Sequence, residues 1–307
     1  MNNPIASSQF VRLLDKKLTK VFDGVVQSEL PPMIDTLYNR QSSSTAWDEY
    51  WGIGALGDIP EFNGALSYLS VAPGFYTKIE PKEYAAGIQF ERKFLADKQY
   101  NIFDNRAGML TRSAMRTMDK IAVRPFAYAF SNAFDFMYSE EGVALCSDSH
   151  LTKASVPTTT GFDNAGTSAL NKTSLAATRL LMRGFRDDIG NRLEINPSML
   201  LVPDNLYDTA MEIVGSDKDP ESANNTINMQ KGRFKVVPYL RLDDYDTNNW
   251  FMIDEPMMKQ HLLWIDREKP SSNNTVDFET FIWKFSIYFR IGNGFTDWRW
   301  IFGNNVS

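Results

Sequence analysis

Cys146, Ser147, Asp148 and His150 place a nucleophile, an acid and a base within a few positions of one another. A thiol or hydroxyl beside a histidine base is the arrangement that covalent catalysis uses. All four residues, however, lie within five positions of a polar segment, whereas catalytic triads usually converge from distant parts of a chain. The pattern therefore favours a polar loop over a catalytic centre.

A second group, Asp243, Asp244 and Asp246, has the oxygen ligands that a hard cation prefers. It lacks the glycine and the distal glutamate of a calcium loop, so a solvated acidic turn is the better interpretation. With one cysteine and only two histidines, His150 and His261, neither a multi-cysteine zinc site nor a histidine-rich metal centre is expected. We predict no catalytic, cofactor-binding or metal-binding residues, and hence no enzyme.

The overall composition is that of a folded and mildly acidic protein of 307 residues. Apolar residues make up 43% of the chain, which is enough to bury a core and argues against wholesale disorder. The 32 basic and 38 acidic residues give a net charge of −6, which is not the balance of a general nucleic-acid binder. At about 150 residues per domain, the length predicts roughly two domains.

The sequence shows no targeting or membrane-spanning pattern. The start of the chain is polar without the layout of a signal peptide, and no stretch approaches about 18 uninterrupted apolar residues. The single cysteine excludes an intramolecular disulfide framework. We therefore expect a soluble protein made in a reducing cytoplasm.

The N-terminal part of the chain predicts an amphipathic helix followed by a loop. Apolar residues recur at spacings of three and four over residues 8–30, and Pro31 and Pro32 end the pattern. Residues 39–46 are polar and indicate a loop. Two interpretations stay open: an arm that is weakly tied to any core, and a helix that packs on the domain.

A region rich in glycine and aromatic residues follows, and it predicts a β-hairpin. Residues 65–71 alternate between apolar and small or polar types, residues 75–79 form a second extended run, and Pro73-Gly74 marks a turn between them. A third extended segment is expected over residues 84–90.

The longest periodic segment predicts a helix from about residue 102 to 134. Its apolar residues fall on one face, and its arginines lie largely off that face, where a solvated surface is the simplest interpretation. Pro125 should kink this helix about one turn earlier or split it in two.

The middle of the chain predicts a compact α/β subdomain behind a serine- and threonine-rich linker at residues 147–171. Two helices are expected, one from a cap at Thr173 or Ser174 to about residue 187, and one over residues 206–214 with Asp204 as its cap. Short buried strands are expected at residues 198–202, 234–237, 250–253 and 262–265.

The final segment, residues 275–302, alternates strongly and predicts two long strands about a turn at Gly292-Asn293-Gly294. Its aromatic positions include Phe278 and Phe281. These strands need a partner, and the segment before the linker is the natural one. The middle subdomain would then be an insertion within an outer one.

Several local strings are more specific in their joint order than any one of them is alone. They are GDIPEFNG at 57–64 with YTK at 76–78, KEYAAGIQFERK at 82–93, INPSMLLVP at 195–203, and NNTIN at 224–228 ahead of VVPYL at 236–240 and WFMI at 250–253. In this order the chain, from about residue 50 to 303, resembles the Mu-like major head subunits of tailed bacteriophages. These are major capsid proteins of HK97-type fold.

The resemblance implies an α+β chain with a fixed order of parts. They are an N-terminal arm, an extended β-hairpin loop that reaches over a neighbouring subunit, a peripheral domain with a long spine helix, and an inserted α/β axial domain. The expected bounds are 1–50 for the arm, 51–88 for the loop, 89–140 with 270–307 for the peripheral domain, about 102–134 for the spine helix, and 141–269 for the axial domain.

The hairpin region also supplies the candidates for contact between subunits. A two-stranded unit cannot bury its own aromatic residues, whereas aromatic anchors dominate interface energetics. Covalent cross-linking, which one family member achieves with a lysine, an asparagine and a catalytic carboxylate, is unsupported, because neither Lys78 nor Lys82 can be matched with the other two groups. The contact candidates are Phe62, Tyr68, Phe75, Tyr76 and Lys78.

The leading hypothesis is therefore a major capsid protein that self-assembles into pentamers and hexamers of an icosahedral shell around double-stranded DNA. Its expected partners are copies of itself, a portal, and scaffolding or decoration proteins, with DNA enclosed without sequence-specific binding and with no membrane. The expected location is the virion, after assembly in the host cytoplasm. The alternative is the shell of a bacterial encapsulin-like nanocompartment, and a soluble α/β hydrolase is a distant third.

Overall fold

The computed structural model describes residues 18–26, 28, 32–91, 100–154, 156–218, 226–277, 279–280 and 282–306. The predicted helical residues 8–17, the aromatic positions Phe278 and Phe281, and Asn224-Asn225 of the resemblance lie outside them. Within this part of the chain, no helix combines the length and the apolarity that crossing a bilayer requires.

The described helices are α1 at residues 18–26, α2 at Pro32–Leu37, α3 at Tyr100–Ala127, α4 at Lys172–Met182, α5 at Tyr207–Gly215 and α6 at Glu255–His261. The strands are β1 at Asn39–Ser42, β2 at Asp48–Ile53, β3 at Pro73–Ile79, β4 at Lys82–Phe90, β5 at Met137–Ser139, β6 at Ala165–Gly166, β7 at Met199–Val202, β8 at Lys235–Pro238, β9 at Trp250–Ile253, β10 at Leu262–Val276, β11 at Trp283–Phe295 and β12 at Ile301–Asn304.

The strands form three sheets, with the orders β1-β10-β11-β4, β6-β12-β9-β7-β8 and β2-β3-β5. In the first sheet the long strands β10, β11 and β4 run antiparallel, and Trp283 pairs with Phe90 at one end. The predicted pairing of the C-terminal strand with the segment before the linker is therefore confirmed. The chain leaves this sheet after β4 and returns to it at β10, and the division into an outer and an inserted subdomain stays a prediction.

The predicted turn at Gly292-Asn293-Gly294 is wrong, because these residues continue strand β11 and pair with β10. Neither glycine has a positive φ. Their small size is needed for close packing instead, since a Cβ on Gly294 would lie 2.8 Å from Ile79 Cδ1, and one on Gly292 would lie 3.1 Å from Pro81 Cα. The chain turns only after Phe295, and β12 then joins the second sheet.

Helix α3 confirms the predicted long helix but ends at Ala127, one to two turns earlier than expected. Pro125 does not split it. A proline lacks the N–H that would bond to the carbonyl four residues earlier. Asn293 Nδ2 donates to that Ile121 carbonyl at 3.0 Å, so the lost helical hydrogen bond is replaced.

The middle part confirms the predicted α/β organisation. Strand β7 is fully buried between the parallel β8 and the antiparallel β9, and β9 pairs with β12. Helix α4 is capped by Asn171, whose side chain accepts from Ser174 N while the Ser174 hydroxyl accepts from Asn171 N. The cap therefore lies before the predicted Thr173, although Ser174 takes part in it, and the helix ends at Met182 rather than near residue 187.

The predicted cap at Asp204 is also wrong. Residues Asp204–Leu206 form a 3₁₀ turn that leads into α5, and no cap hydrogen bond comes from the side chain. The Asp243 carboxylate accepts from the backbone N–H groups of Asp204 at 2.8 Å and Asn205 at 3.2 Å instead. A long-range carboxylate thus satisfies the donors that a local cap would have satisfied.

The predicted hairpin needs a correction as well. Residues 65–71 are not a strand, and β3 pairs with β2 on one side and β5 on the other. Gly52 and Gly74 let the two backbones approach closely, since a Cβ on Gly52 would lie 2.7 Å from Phe75 O. The turn is therefore replaced by a long loop over residues 54–72.

The described N-terminal residues pack against the body of the protein. Leu18 and Phe22 of α1 are buried, as are Ile34 and Leu37 of α2. Tyr38 donates its hydroxyl to Ala122 O of α3 at 2.6 Å and lies edge-on to Trp264. Of the two interpretations of this segment, the packed helix holds for residues 18–26 and 32–38.

Candidate assembly interface

The most exposed apolar part of the described chain is the loop of residues 54–72, which we call the extended loop. A hydrogen bond from Gly54 N to Ala72 O closes its base at 2.9 Å. Beyond that base its residues have no regular structure. Four large apolar side chains are from 69% to 93% exposed: Ile59, Phe62, Leu66 and Tyr68.

Exposing so many large apolar side chains to water is unfavourable for an isolated subunit. A contiguous exposed apolar patch marks an interaction site or an aggregation hazard, whereas scattered apolar residues need no explanation. Here the exposed residues follow one another in a single segment of chain, and Trp51 and Ile53 of β2 continue the series at the base with exposures of 72% and 81%. The extended loop therefore has the properties of a segment that is covered by another chain.

The base of the extended loop is fixed to the body of the protein. Tyr76 of β3 donates its backbone N–H to the Glu140 carboxylate at 2.9 Å, and Tyr76 O accepts from Glu140 N. Lys153 pairs with the same carboxylate at 2.6 Å and, with the Tyr76 N–H, lowers the pKa of Glu140. These bonds hold strand β3 against Glu140 and so fix the base of the extended loop. The loop beyond the base stays exposed and can contact another molecule.

The five predicted contact residues fall into two groups. Phe62 and Tyr68 lie in the extended loop and are exposed. Phe75, Tyr76 and Lys78 lie on β3 and are half-buried by contacts within the chain. Whether any of the five touches a second subunit stays a prediction.

The contacts of the β3 group show what these residues do within one subunit. Lys153 Nζ lies 5.4 Å from the ring centre of Phe75. Tyr76 packs on Trp51 with ring centres 4.6 Å apart, and burial together with the Glu49 carboxylate raises the pKa of its hydroxyl. Lys78 lies 4.3 Å above the Trp47 ring and 3.6 Å from Glu80. These three residues therefore support the base of the loop.

Exposed residues that the sequence analysis missed are Trp51, Ile53, Ile59 and Leu66. Leu66 belongs to the alternating run of residues 65–71, which predicted a strand with one buried face. That run has no partner strand within one described subunit, so the alternation did not reveal its exposure. The glycine-rich composition of the region was the available signal.

The cysteine–histidine candidate is part of the core. Cys146 is 2% exposed, and burial raises the pKa of its thiol. The His150 ring stacks on Trp298 with centres 4.2 Å apart and lies between Glu141 Oε1 at 2.9 Å and Asn164 Oδ1 at 3.1 Å. Both residues thus have the contacts of structural groups in the core.

The three aspartates of the acidic turn are likewise engaged in local structure. Asp243 accepts from the 204–205 backbone, Asp244 pairs with Arg241 at 3.7 Å, and Asp246 accepts from the backbone of residues 248 and 249. Among the described residues, no three carboxylate, histidine or cysteine side chains are grouped so that they could hold a metal ion.

Solved structures share this architecture. The procapsid protein of bacteriophage JBD30 matches at 13% identity over 97% of this chain and 76% of that one, with a TM-score of 0.52. The mature capsid of bacteriophage PhiM1 matches at 11% identity over 89% and 86%, with a TM-score of 0.57. A virus-like particle from Pyrococcus furiosus matches at 10% identity over 94% and 98%, with a TM-score of 0.53.

These likenesses, at such low identities, concern the fold. They show an α+β fold of the HK97 type, as the sequence predicted. Comparison with curated proteins gives no match.

A family model described as phage capsid protein matches residues 75–304, most of the chain, and the chain belongs to that family. It is a major capsid protein, a structural component of a virion. The Mu-like subgroup stays a prediction, and the nanocompartment alternative has no better support than the phage capsids.

Proposed function

We propose that this capsid protein assembles into the pentamers and hexamers of an icosahedral shell that encloses double-stranded DNA, and that it catalyses no reaction. The observation that carries the proposal is the extended loop, whose apolar residues are exposed on a base that the rest of the subunit holds in place. Burial of those residues by neighbouring copies would supply the association energy. Phe62 and Tyr68 would be the anchors of this contact, and Phe75, Tyr76 and Lys78 would adjoin it.

The subunit divides, in this proposal, as the family resemblance implies. Residues 1–50 would be the arm, 51–88 the extended hairpin region, and 141–269 the axial domain around the fivefold and sixfold centres. The peripheral domain would combine residues 89–140 and 270–307. Strand β11, which pairs β4 with β10, supports a peripheral unit built from both ends of the chain.

The enclosed nucleic acid would be held without tight binding. The chain carries a net charge of −6, so its surface has no general excess of cations to neutralise phosphates. Assembly would take place in the host cytoplasm, with a portal and with scaffolding or decoration proteins as further partners.

Electron microscopy of the full chain, expressed alone and with its neighbouring genes, tests the proposal. Closed shells that contain DNA in the second case are the expected result. A monodisperse monomer under all assembly conditions would contradict the proposal, and shells that enclose a folded protein instead of DNA would favour a nanocompartment.

A double variant, Phe62→Ser with Tyr68→Ser, tests the role of the extended loop within that experiment. Both side chains are exposed, so the variant should fold normally and yet lose shells. Asp58→Asn in the same loop is the matched control and should assemble normally, because it leaves the apolar anchors in place. Normal particle yield from the double variant would show that these residues are not anchors.

A further inference from the structure

A cleft of about 470 Å³ lies at the C-terminal end of α4, in the middle part of the chain and outside the extended loop. One wall is the end of the helix, and the other is the segment of residues 192–194. Leu193 N donates to Phe185 O at 2.9 Å, and residue 192 forms a bridge with residue 186, so this segment is held against the helix. The lining residues are Arg179, Leu180, Arg183, Arg192, Leu193 and Glu194.

The cleft concentrates positive charge in an acidic protein. Three arginines line it, together with a single acidic residue, Glu194. Arg179 and Arg183 are four positions apart, so they lie on one face of the helix, and Arg192 comes from the opposite wall. Among the residues that the structure describes, none of the three guanidiniums has a hydrogen bond or an ion pair.

Arg179 is the least satisfied of the three. Its Nε is buried and has no hydrogen-bond partner. Desolvation by burial, together with the nearby charges of Arg233 and Arg183, lowers the pKa of this guanidinium. A buried donor without an acceptor carries the desolvation cost of a charged group with no compensating bond.

Arg299, a buried arginine, has the acceptors that Arg179 Nε and Arg267 Nε lack. Arg299 donates to the carboxylates of Asp297 and Asp188 and to Arg186 O, and its guanidinium also lies 4.8 Å from the Trp298 ring centre. Nearby carboxylates raise its pKa despite burial. In the cleft, Arg179 Nε has no such acceptor.

The helix dipole accounts for only part of this arrangement. Cations near a helix C-terminus are favoured, which explains Arg179 and Arg183 as surface residues. It does not explain Arg192, which lies outside the helix, nor the burial of Arg179 Nε. Like charges four positions apart also repel each other unless an anion lies between them.

We propose that this cleft binds a phosphate-bearing molecule of about nucleotide size. Guanidinium groups bind phosphate oxygens in pairs of parallel hydrogen bonds, and three of them converging from two walls suit a di- or triphosphate. Leu180 and Leu193 offer an apolar wall for a base, and Glu194 offers an acceptor for a ligand hydroxyl or amine. The volume of the cleft lies in the range of small-molecule sites.

Two sources could supply phosphate to this cleft: a free polyphosphate or nucleotide, and the phosphodiester backbone of DNA. A concave cleft of this size favours the small molecule. Titration calorimetry of the full chain with sodium tripolyphosphate, with ATP and with a short DNA duplex, all at about 0.15 M salt, separates the two sources.

Arg179→Gln and Arg183→Gln test the site, and Arg116→Gln on α3, an exposed arginine outside the cleft, is the matched control. We expect one tripolyphosphate or ATP per chain and a loss of affinity of about tenfold or more in each cleft variant, with the control unchanged. Equal binding by all variants, or binding of duplex that tripolyphosphate cannot displace, would overturn the proposal.

The Arg183→Gln variant keeps the test valid if Arg179→Gln does not fold, because Arg183 is exposed and its loss leaves no buried group unpaired. Tripolyphosphate should raise the melting temperature of the wild-type chain and raise that of Arg183→Gln much less. A rise of the same size in both would show that the anion binds elsewhere. Shell formation in electron microscopy is a separate readout, so failure of this proposal leaves the proposed function intact.

Discussion

Asn293 donates its side-chain amide to the Ile121 carbonyl at 3.0 Å, and this is the carbonyl that Pro125 leaves without a helical partner. The same amide lies 3.3 Å from the Tyr38 hydroxyl, which itself donates to Ala122 O. One asparagine near the C-terminal end of strand β11 thus replaces the missing helical hydrogen bond and joins the long helix to the N-terminal segment. The interaction explains why Pro125, two residues before the end of α3, does not divide the helix.

Replacing Asn293 with Ala should lower the free energy of unfolding by about 1–3 kcal/mol, because it leaves a buried carbonyl unpaired. Adding Pro125→Ala restores an N–H that can bond to Ile121 O. The cost of Asn293→Ala should therefore be about 1 kcal/mol smaller in the Pro125→Ala background. Urea unfolding of the four proteins measures this coupling, and additive effects would contradict the proposed repair.

Gly294→Ala should destabilise the protein by about 1–3 kcal/mol through overpacking. A Cβ at this position would lie 2.8 Å from Ile79 Cδ1 and 3.1 Å from Met137 Sδ. Gly57→Ala in the extended loop is the control, since nothing lies within 4 Å of its Cβ, and it should be neutral or slightly stabilising. Thermal unfolding compares the two, and equal melting temperatures would mean that β11 tolerates a side chain there.

Replacing residues 55–71 with a short glycine–serine linker should leave the subunit folded. The loop makes no regular structure, and the Gly54 N to Ala72 O hydrogen bond at its base does not need it. We expect a change in the free energy of unfolding within about 0.5 kcal/mol, together with loss of closed shells. Circular dichroism and electron microscopy measure the two effects. A large loss of stability would mean that the loop packs on its own subunit.

Stability should fall at alkaline pH, in part through Cys146. Burial raises the pKa of this thiol in the folded protein, so the unfolded chain binds fewer protons above about pH 8.5. The contribution is fully present below that pH and is lost as the pH rises, at up to about 1.4 kcal/mol per pH unit. Unfolding of wild type and Cys146→Ala between about pH 8 and 9.5 checks it, because the variant should show the shallower slope.

The rate of thiol labelling tests the burial of Cys146 without a stability measurement. The thiol is buried beside Gly303, so an aromatic disulfide reagent should react with it only as fast as the protein opens. Rapid labelling of the folded protein would contradict the structural role. Cys146→Ala should also leave assembly unchanged, whereas a hydrolase that used this thiol would lose its activity.

Structural elements that depend only on residues close together in the sequence could be predicted from it. The apolar stripe of α3 fixes a helix whatever it packs against, and the fully apolar runs at β7 and β9 have no stable alternative to burial. The strings around residues 82–93 and 195–203 added the resemblance to phage capsid proteins, which the family match confirms, whereas the Mu-like subgroup stays a prediction. Phe62 and Tyr68 are exposed, and their part in contact between subunits stays a prediction.

Other features depended on which distant groups meet. Gly292 and Gly294 were predicted to form a turn because glycine is common in turns, but the approach of Ile79, Pro81 and Met137 requires them in a strand. Likewise, Asp243 rather than Asp204 satisfies the N–H groups ahead of α5. Local sequence gives no information on either contact.

The sequence by itself determined that the long helix α3 and the buried strands β7 and β9 exist, because hydrophobic periodicity acts over a few residues and needs no partner. The tertiary structure decided which glycines lie in turns and which carboxylates accept from the N–H groups at a helix start. It also decided which apolar side chains stay exposed to solvent. Alternation over residues 65–71 is compatible with a paired strand, yet β3 already pairs with β2 and β5. A side chain is exposed when no other part of the folded chain packs against it, and only the tertiary structure specifies this.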